Sequence, residues 1–338
     1  MRTRVLALTA IAVAVGALAA PAVQAQIRSA GAAEKPAFKA PRTSWGDPDL
    51  QGVWDYRTIT PMERRPELGD RQFYTDEEIA ELEGRATKRM TQNPDTTVQT
   101  GLVHAEYLTD PGRHVDESKR TSLILDPPNG KMPPLTPAAQ ARQQQAAAAR
   151  TAGGAAPGPA GGKVDSYLDR PLYERCITRG LPSTILPTLY NNNIRIAQGP
   201  GYVAIVHEMI HETRVVPLDG SPFSHVKSYL GESRGHWEGD TLVIESRNFN
   251  GRTNYRGSGE NLVLTERYTK VAPDRIDFRL TFNDPTQWVQ PWTVAYFMRP
   301  SEGELYEYAC HEGNYGLRNI LEEARLADKA AAAATKKQ

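Results

Sequence analysis

The octapeptide Arg275-Ile276-Asp277-Phe278-Arg279-Leu280-Thr281-Phe282 decides the fold. Apolar and polar side chains alternate one for one. On an extended strand Ile276, Phe278, Leu280 and Phe282 therefore share one face, and Asp277, Arg279 and Thr281 the other. A helix would scatter the four apolar residues around its axis. Upstream, residues 194–198, 202–210, 213–218, 234–237, 241–246 and 261–271 carry the same kind of β pattern. Turn residues divide these runs: Gly199-Pro200-Gly201, Asp219-Gly220, Glu238-Gly239-Asp240 and Pro273-Asp274. Downstream, residues 292–298 and 305–310 flank a turn at 300–304. These runs predict about nine strands between Tyr190 and Cys310, an antiparallel meander. A meander this long with one apolar face must curl to hide its edges, which predicts a mainly β protein built on a closed or nearly closed barrel. A two-layer sandwich is the competing architecture.

The flanks are less regular. Residues 43–137 form an N-terminal extension in which Gly52-Val53-Trp54 supplies one strand to the barrel. Thr75 caps a predicted helix near 75–90, and Glu78 completes a capping box. Residues 121–125 read as a strand stopped by Pro127-Pro128-Asn129-Gly130. Residues 138–163 are Ala, Gln, Gly and Pro-rich and predict a disordered surface insertion, although the Ala/Gln half has helical propensity. The barrel domain is expected over 164–312, followed by a helical tail over 313–338 with Leu317, Ile320, Leu321 and Ala324 on one face.

The N-terminus reads as a secretory signal: Arg2 and Arg4 precede an uncharged apolar stretch, and Val23-Gln24-Ala25 places small residues at the cleavage-determining positions. Cleavage after Ala25, a flexible lead-in over 26–42 and a periplasmic or secreted protein without a membrane anchor are the expectation. The full chain of 338 residues balances 40 Lys+Arg against 40 Asp+Glu. Such a balance offers no basic stripe for a nucleic acid. An oxidising compartment permits a disulfide between Cys176 and Cys310, the two cysteines of the chain; two buried free thiols are the alternative.

The sharpest chemical string is His207-Glu208-Met209-Ile210-His211. On a helix its two imidazoles would share a face and could bind zinc beside a general-base glutamate. The surrounding Val203, Ile205, Val206, Ile210, Thr213, Val215 and Val216 favour a strand, which would hold the two histidines about 13 Å apart. The strand reading is preferred, so no metal ligand and no cofactor is assigned; a zinc metallohydrolase stays the minor alternative. Glu208 with His211, and His311 with Glu312, are the candidate acid/base pairs. Glu266 shares a strand face with Leu262, Leu264 and Tyr268; if that face looks inward it is a carboxylate aimed into a cavity or one neutralised by an arginine, and the alternative is that Val263, Thr265 and Arg267 face inward. Asn191, Asn192, Asn193, His236 and Trp292 complete the candidate ligand-binding set. The sequence holds no phosphate loop, dinucleotide fingerprint, paired CxxC or nucleophile elbow.

The run from Gly231 to Ile244 (GESRGHWEGDTLVI) resembles a signature of a group of secreted bacterial β-rich proteins. So do Arg175-Cys176-Ile177-Thr178-Arg179-Gly180, Tyr190-Asn191-Asn192-Asn193, and the run from Tyr306 to Tyr315 (YEYACHEGNY). That resemblance implies export and no particular activity. More loosely, Gly52-Val53-Trp54, the meander and the C-terminal helix are similar to lipocalins, which implies a barrel around a small ligand; the long separation of Trp54 from the meander departs from that pattern. The expected function is binding of a small, partly apolar molecule in a barrel cavity. An acid/base isomerase, lyase or hydrolase on the same scaffold is the alternative, and a barrel filled by its own side chains a third.

Overall fold

A computed structural model describes residues 38–91, 110–152 and 164–335. The expected signal segment, most of the lead-in and the Gly/Pro half of the insertion lie outside those residues. Ten strands are present: β1 (Gly52–Asp55), β2 (Ile124–Asp126), β3 (Asn193–Gly199), β4 (Tyr202–His207), β5 (Thr213–Pro217), β6 (Glu232–Glu238), β7 (Thr241–Arg247), β8 (Val263–Ala272), β9 (Arg275–Asn283) and β10 (Trp292–Pro300). They form one nearly closed, barrel-shaped sheet in the order β5-β4-β3-β1-β10-β9-β8-β7-β6, with β2 added beside β10. The sandwich alternative is excluded. Gly52-Val53-Trp54 does join the barrel, pairing with β3 on one side and β10 on the other.

The ring of nine strands has a consequence in its parity. Each ladder along it is antiparallel, so direction alternates, and β5 and β6 at the two ends must run the same way. No ladder joins them. Residues 218–231 cross back over this seam, as a parallel neighbour requires. Side chains close what the backbone leaves open. A Cβ on Gly235 would stand 2.6 Å from Leu218 Cδ2 and 3.0 Å from Val216 Cγ1, so only glycine lets β6 approach β5 there.

Alternation buries the inward residues as read. Ile276, Phe278, Leu280 and Phe282 are fully buried, as are Leu264, Glu266 and Tyr268 on β8. Phe282 and Trp292 stack with ring centroids 4.0 Å apart, and Phe278 lies between Tyr268 and Tyr296 at 4.7 and 4.9 Å. Among the described residues the helices are α1 (Asp76–Thr91), α2 (Pro137–Ala152), α3 (Leu181–Ile185) and α4 (Tyr315–Thr335), and α3, a short helix that the sequence did not announce, plugs the barrel. Its residues Leu181, Pro182, Thr184 and Ile185 are buried. Tyr56 donates to the Thr184 carbonyl at 2.7 Å and Tyr296 to the Ile185 carbonyl, satisfying the last carbonyls of that helix from below.

Three expectations need correction. Residues 305–310 are not a strand, so β3–β10 account for the region, eight strands in all. The strand expected over 202–210 ends at His207, because Ile210 and His211 adopt positive φ in a tight turn. The Ala/Gln half of the insertion is helix α2, held by buried Ala139 and by Arg142 donating to Thr286 O and Gln287 Oε1. At the other helix start, Glu78 N donates to Thr75 Oγ1 at 3.3 Å and Thr75 N to Glu78 Oε2 at 2.9 Å. Among the described residues no helix is long and apolar enough to cross a membrane.

The seam predicts a glycine-specific stability. Gly235→Val should cost about 1–3 kcal/mol by overpacking, whereas Gly303→Ala, whose Cβ would meet nothing closer than 3.9 Å, should be near neutral. Urea titrations of the two variants measure the difference.

Candidate functional site

Inside the seam lies a polar layer. Arg214 on β5 points inward, and its guanidinium meets Glu266 on β8 in a bidentate pair of 2.7 and 2.8 Å. Arg214 is 4% exposed at its side chain and Glu266 0%. Tyr268 donates to Glu266 Oε2 at 2.8 Å, and Arg214 reaches Ser233 Oγ on β6 at 3.4 Å, which in turn bonds Ser246 Oγ at 2.7 Å. Burial works against the Arg214 charge, but the adjacent Glu266 carboxylate keeps its pKa above the usual value. Burial first, and then the negative charge of Glu266, push the Tyr268 hydroxyl up. Of the readings open for Glu266, the structure gives the inward-facing, arginine-neutralised one.

His207 sits beside this layer, fully buried at the end of β4. Burial and the Arg214 charge hold its pKa well below normal, so the ring is neutral. His207 and His211 do not share a helix face: the first closes a strand, and the second is exposed in the following turn, with Nδ1 3.2 Å from the Tyr308 carbonyl. The zinc arrangement is thereby lost. Among the described residues no group of three or more His, Cys, Asp or Glu is placed to hold a metal ion.

The other predicted residues separate. Glu208 is buried and accepts from Asn193 Nδ2 at 2.8 Å, while Asn193 Oδ1 is buried without a partner among the described residues. Asn192 is fully committed to the backbone: its Oδ1 accepts from Thr188 N at 2.7 Å, and its Nδ2 donates to Thr188 O and Asp110 O. Asn191 stands in positive φ at the rim, its side chain unbonded among the described residues. His236 is exposed on the outside, 3.2 Å from Glu238. Trp292 is core, stacked on Phe282. His311 and Glu312 are exposed. Glu208 and His211 share only a backbone bond, His211 N donating to Glu208 O at 3.3 Å, and neither expected acid/base pair is joined by a side-chain hydrogen bond or ion pair among the described residues. Cys176 and Cys310 are bonded, with Cα atoms 5.8 Å apart.

Among the described residues the surface carries clefts of about 430 to 590 Å³. One of them, about 540 Å³, lies over the seam under the crossing segment. Val215, Pro217, Val226, Tyr229 and Leu230 give it apolar walls, and Arg214 and Ser233 line it from within. Those two are inward-facing residues. They reach an outside cleft because β5 and β6 share no ladder. Arg214 Nε is buried there without a partner among the described residues. A lone inward charge on residues 213–218, matched by Glu266 on another predicted strand, was the available signal for this site; the missing ladder had none.

Comparison with family models, with curated protein sequences and with solved structures finds no match for this chain. The chemistry of the layer and its cleft therefore carries the functional reading.

Two outcomes follow from the polar layer. Glu266→Leu, which leaves the Arg214 charge buried and alone, should cost about 3–5 kcal/mol, and most of that should return in the double variant Arg214→Met, Glu266→Leu; chemical denaturation of the three proteins tests this. Stability should also be bounded on both sides in pH. His207 is held neutral, so the unfolded chain takes up its proton first and stability falls below about pH 6.5. Tyr56, Tyr268 and Tyr296 have raised values, so the unfolded chain loses its protons first and stability falls above about pH 10. Melting temperatures across pH 5 to 11 read both limbs, and His207→Leu should flatten the acid one.

Proposed function

We propose that the protein binds a small molecule with an apolar body and a carboxylate-like, hydrogen-bond-accepting head, held in the wall of the barrel at the β5–β6 seam. The observation that carries this reading is the approach of buried Arg214, with its unpartnered Nε, to a cleft of about 540 Å³ walled by Val215, Val226, Tyr229 and Leu230. That volume falls within the range of small-molecule sites, and apolar walls beside a few polar groups, here Arg214, Ser233 and the mutually paired Glu232 and Arg234, are their usual composition. The middle of the barrel is a poorer location, because Trp292, Phe282, Phe278, Tyr268 and Tyr296 fill it with mutually packed rings. The bidentate pair with Glu266 keeps Arg214 fixed, so a ligand head meets a positioned donor rather than a mobile side chain. Export is part of the same proposal, supported by the Cys176–Cys310 bond and by the leader composition.

Octanoate and 1-octanol are suitable probes. Octanoate should bind saturably by calorimetry and more tightly than the alcohol. Val215→Asp, which puts a negative charge on an exposed position of the cleft wall, should weaken octanoate at least about tenfold and the alcohol less. Absence of saturable binding by either probe, or equal affinity in the variant, defeats the reading.

A further inference from the structure

A second cleft, of about 470 Å³, shares no lining residue with the one at the seam. Tyr173, Glu174, Asn191, Glu307, Tyr308 and Asn314 line it. We propose that it is a binding site for a neutral, hydroxyl-rich molecule, the class to which a saccharide end belongs.

The argument begins with what is already committed. Both Glu174 oxygens are taken by Arg170, at 2.8 and 3.0 Å. Asn314 donates to Glu174 O at 2.8 Å and accepts from Leu317 N at 3.3 Å. With the Cys176–Cys310 bond, these contacts clamp the two segments that form the cleft walls. The walls are therefore fixed before any ligand arrives.

What is left uncommitted defines the ligand. Tyr173 hydroxyl bonds the hydroxyls of both Tyr190 and Tyr308, the latter at 3.1 Å. Three hydroxyls in two bonds use two of their three protons and leave one donor over. Burial and these same hydrogen bonds raise Tyr173, and burial raises Tyr308, so that proton is retained at neutral pH. Asn191 offers a free amide donor and acceptor on a backbone held at φ 54°. Glu307 offers a carboxylate without an ion-pair partner among the described residues. Tyr173 and Tyr308, which line the cleft, add aromatic surface to it.

Donors, acceptors and aromatic faces together suit a molecule whose hydroxyls both give and take protons and whose C–H face can lie on a ring. An anion would meet the Glu307 carboxylate with no free cation in the lining to offset it. An apolar molecule would strand the Asn191 amide and the hydroxyl proton.

Ligand-observed saturation-transfer NMR on the full oxidised chain tests this with cellobiose, maltose and N,N′-diacetylchitobiose, and with choline and phosphate as charged controls. At least one disaccharide should bind, more tightly than choline, and phosphate should not. Asn191→Gly keeps the positive-φ backbone while removing the amide, and should weaken that disaccharide about tenfold, whereas Val215→Asp at the seam should leave it unchanged. Binding by none of the three sugars, binding by choline or phosphate alone, or unchanged sugar affinity in Asn191→Gly overturns the proposal.

Discussion

The closure of this barrel rests on Arg214 and Glu266. Nine strands alternating in direction cannot close with an antiparallel pair, and the ring meets itself where β5 and β6 run the same way without a ladder. Backbone hydrogen bonds would normally define that register. Here a buried guanidinium on one edge strand reaches a carboxylate two strands beyond the other edge, touching a β6 serine on the way. A buried ion pair adds little net stability over a well-packed apolar pair. Its value lies in geometry: two parallel N–H···O bonds have one solution, and a slipped seam would leave both charges unpaired.

The sheet was legible because its signal is local. Ile276, Phe278, Leu280 and Phe282 need only a period of two to declare a face, and Gly239-Asp240 or Pro273-Asp274 need only their own chemistry to declare a turn. For the same reason Glu266 could be grouped with Leu262, Leu264 and Tyr268, although the period alone left open which face looked inward. The site was less legible because its signal is relational. Arg214 shares its strand face with Val216 and Leu218, but the sequence reading passed it over, and its partner lies 52 residues away. The plug helix over Leu181–Ile185 is too short to show a period, and what stabilises it, two tyrosine hydroxyls on its final carbonyls, comes from Tyr56 and Tyr296 at either end of the chain's folded region. The Asn191–Asn193 run illustrates the limit most sharply. Three identical side chains in sequence perform three jobs: one free at a rim, one tied to a turn, and one paired with Glu208.

Filling the interior with aromatic rings moves the opportunity for recognition to the wall and the rim. A lumen lined by large side chains has little to offer a guest, but it makes a rigid support. Surface clefts on such a support inherit its rigidity, and their polar groups stay where the core holds them.

The covalent link joins Cys176 and Cys310 across a sequence separation of 134, and every strand from β3 to β10 lies within that span. β1 lies outside it, yet is wedged between β3 and β10. Tension applied at the two termini therefore passes through the sulfur bridge and bypasses eight strands, which keep about 450 Å of chain out of reach of the pull. The load falls instead on the strands outside the bridge, β1 with its two ladders and β2 with its one, so under mechanical stretching this molecule is a pair of short latches attached to an inextensible ring.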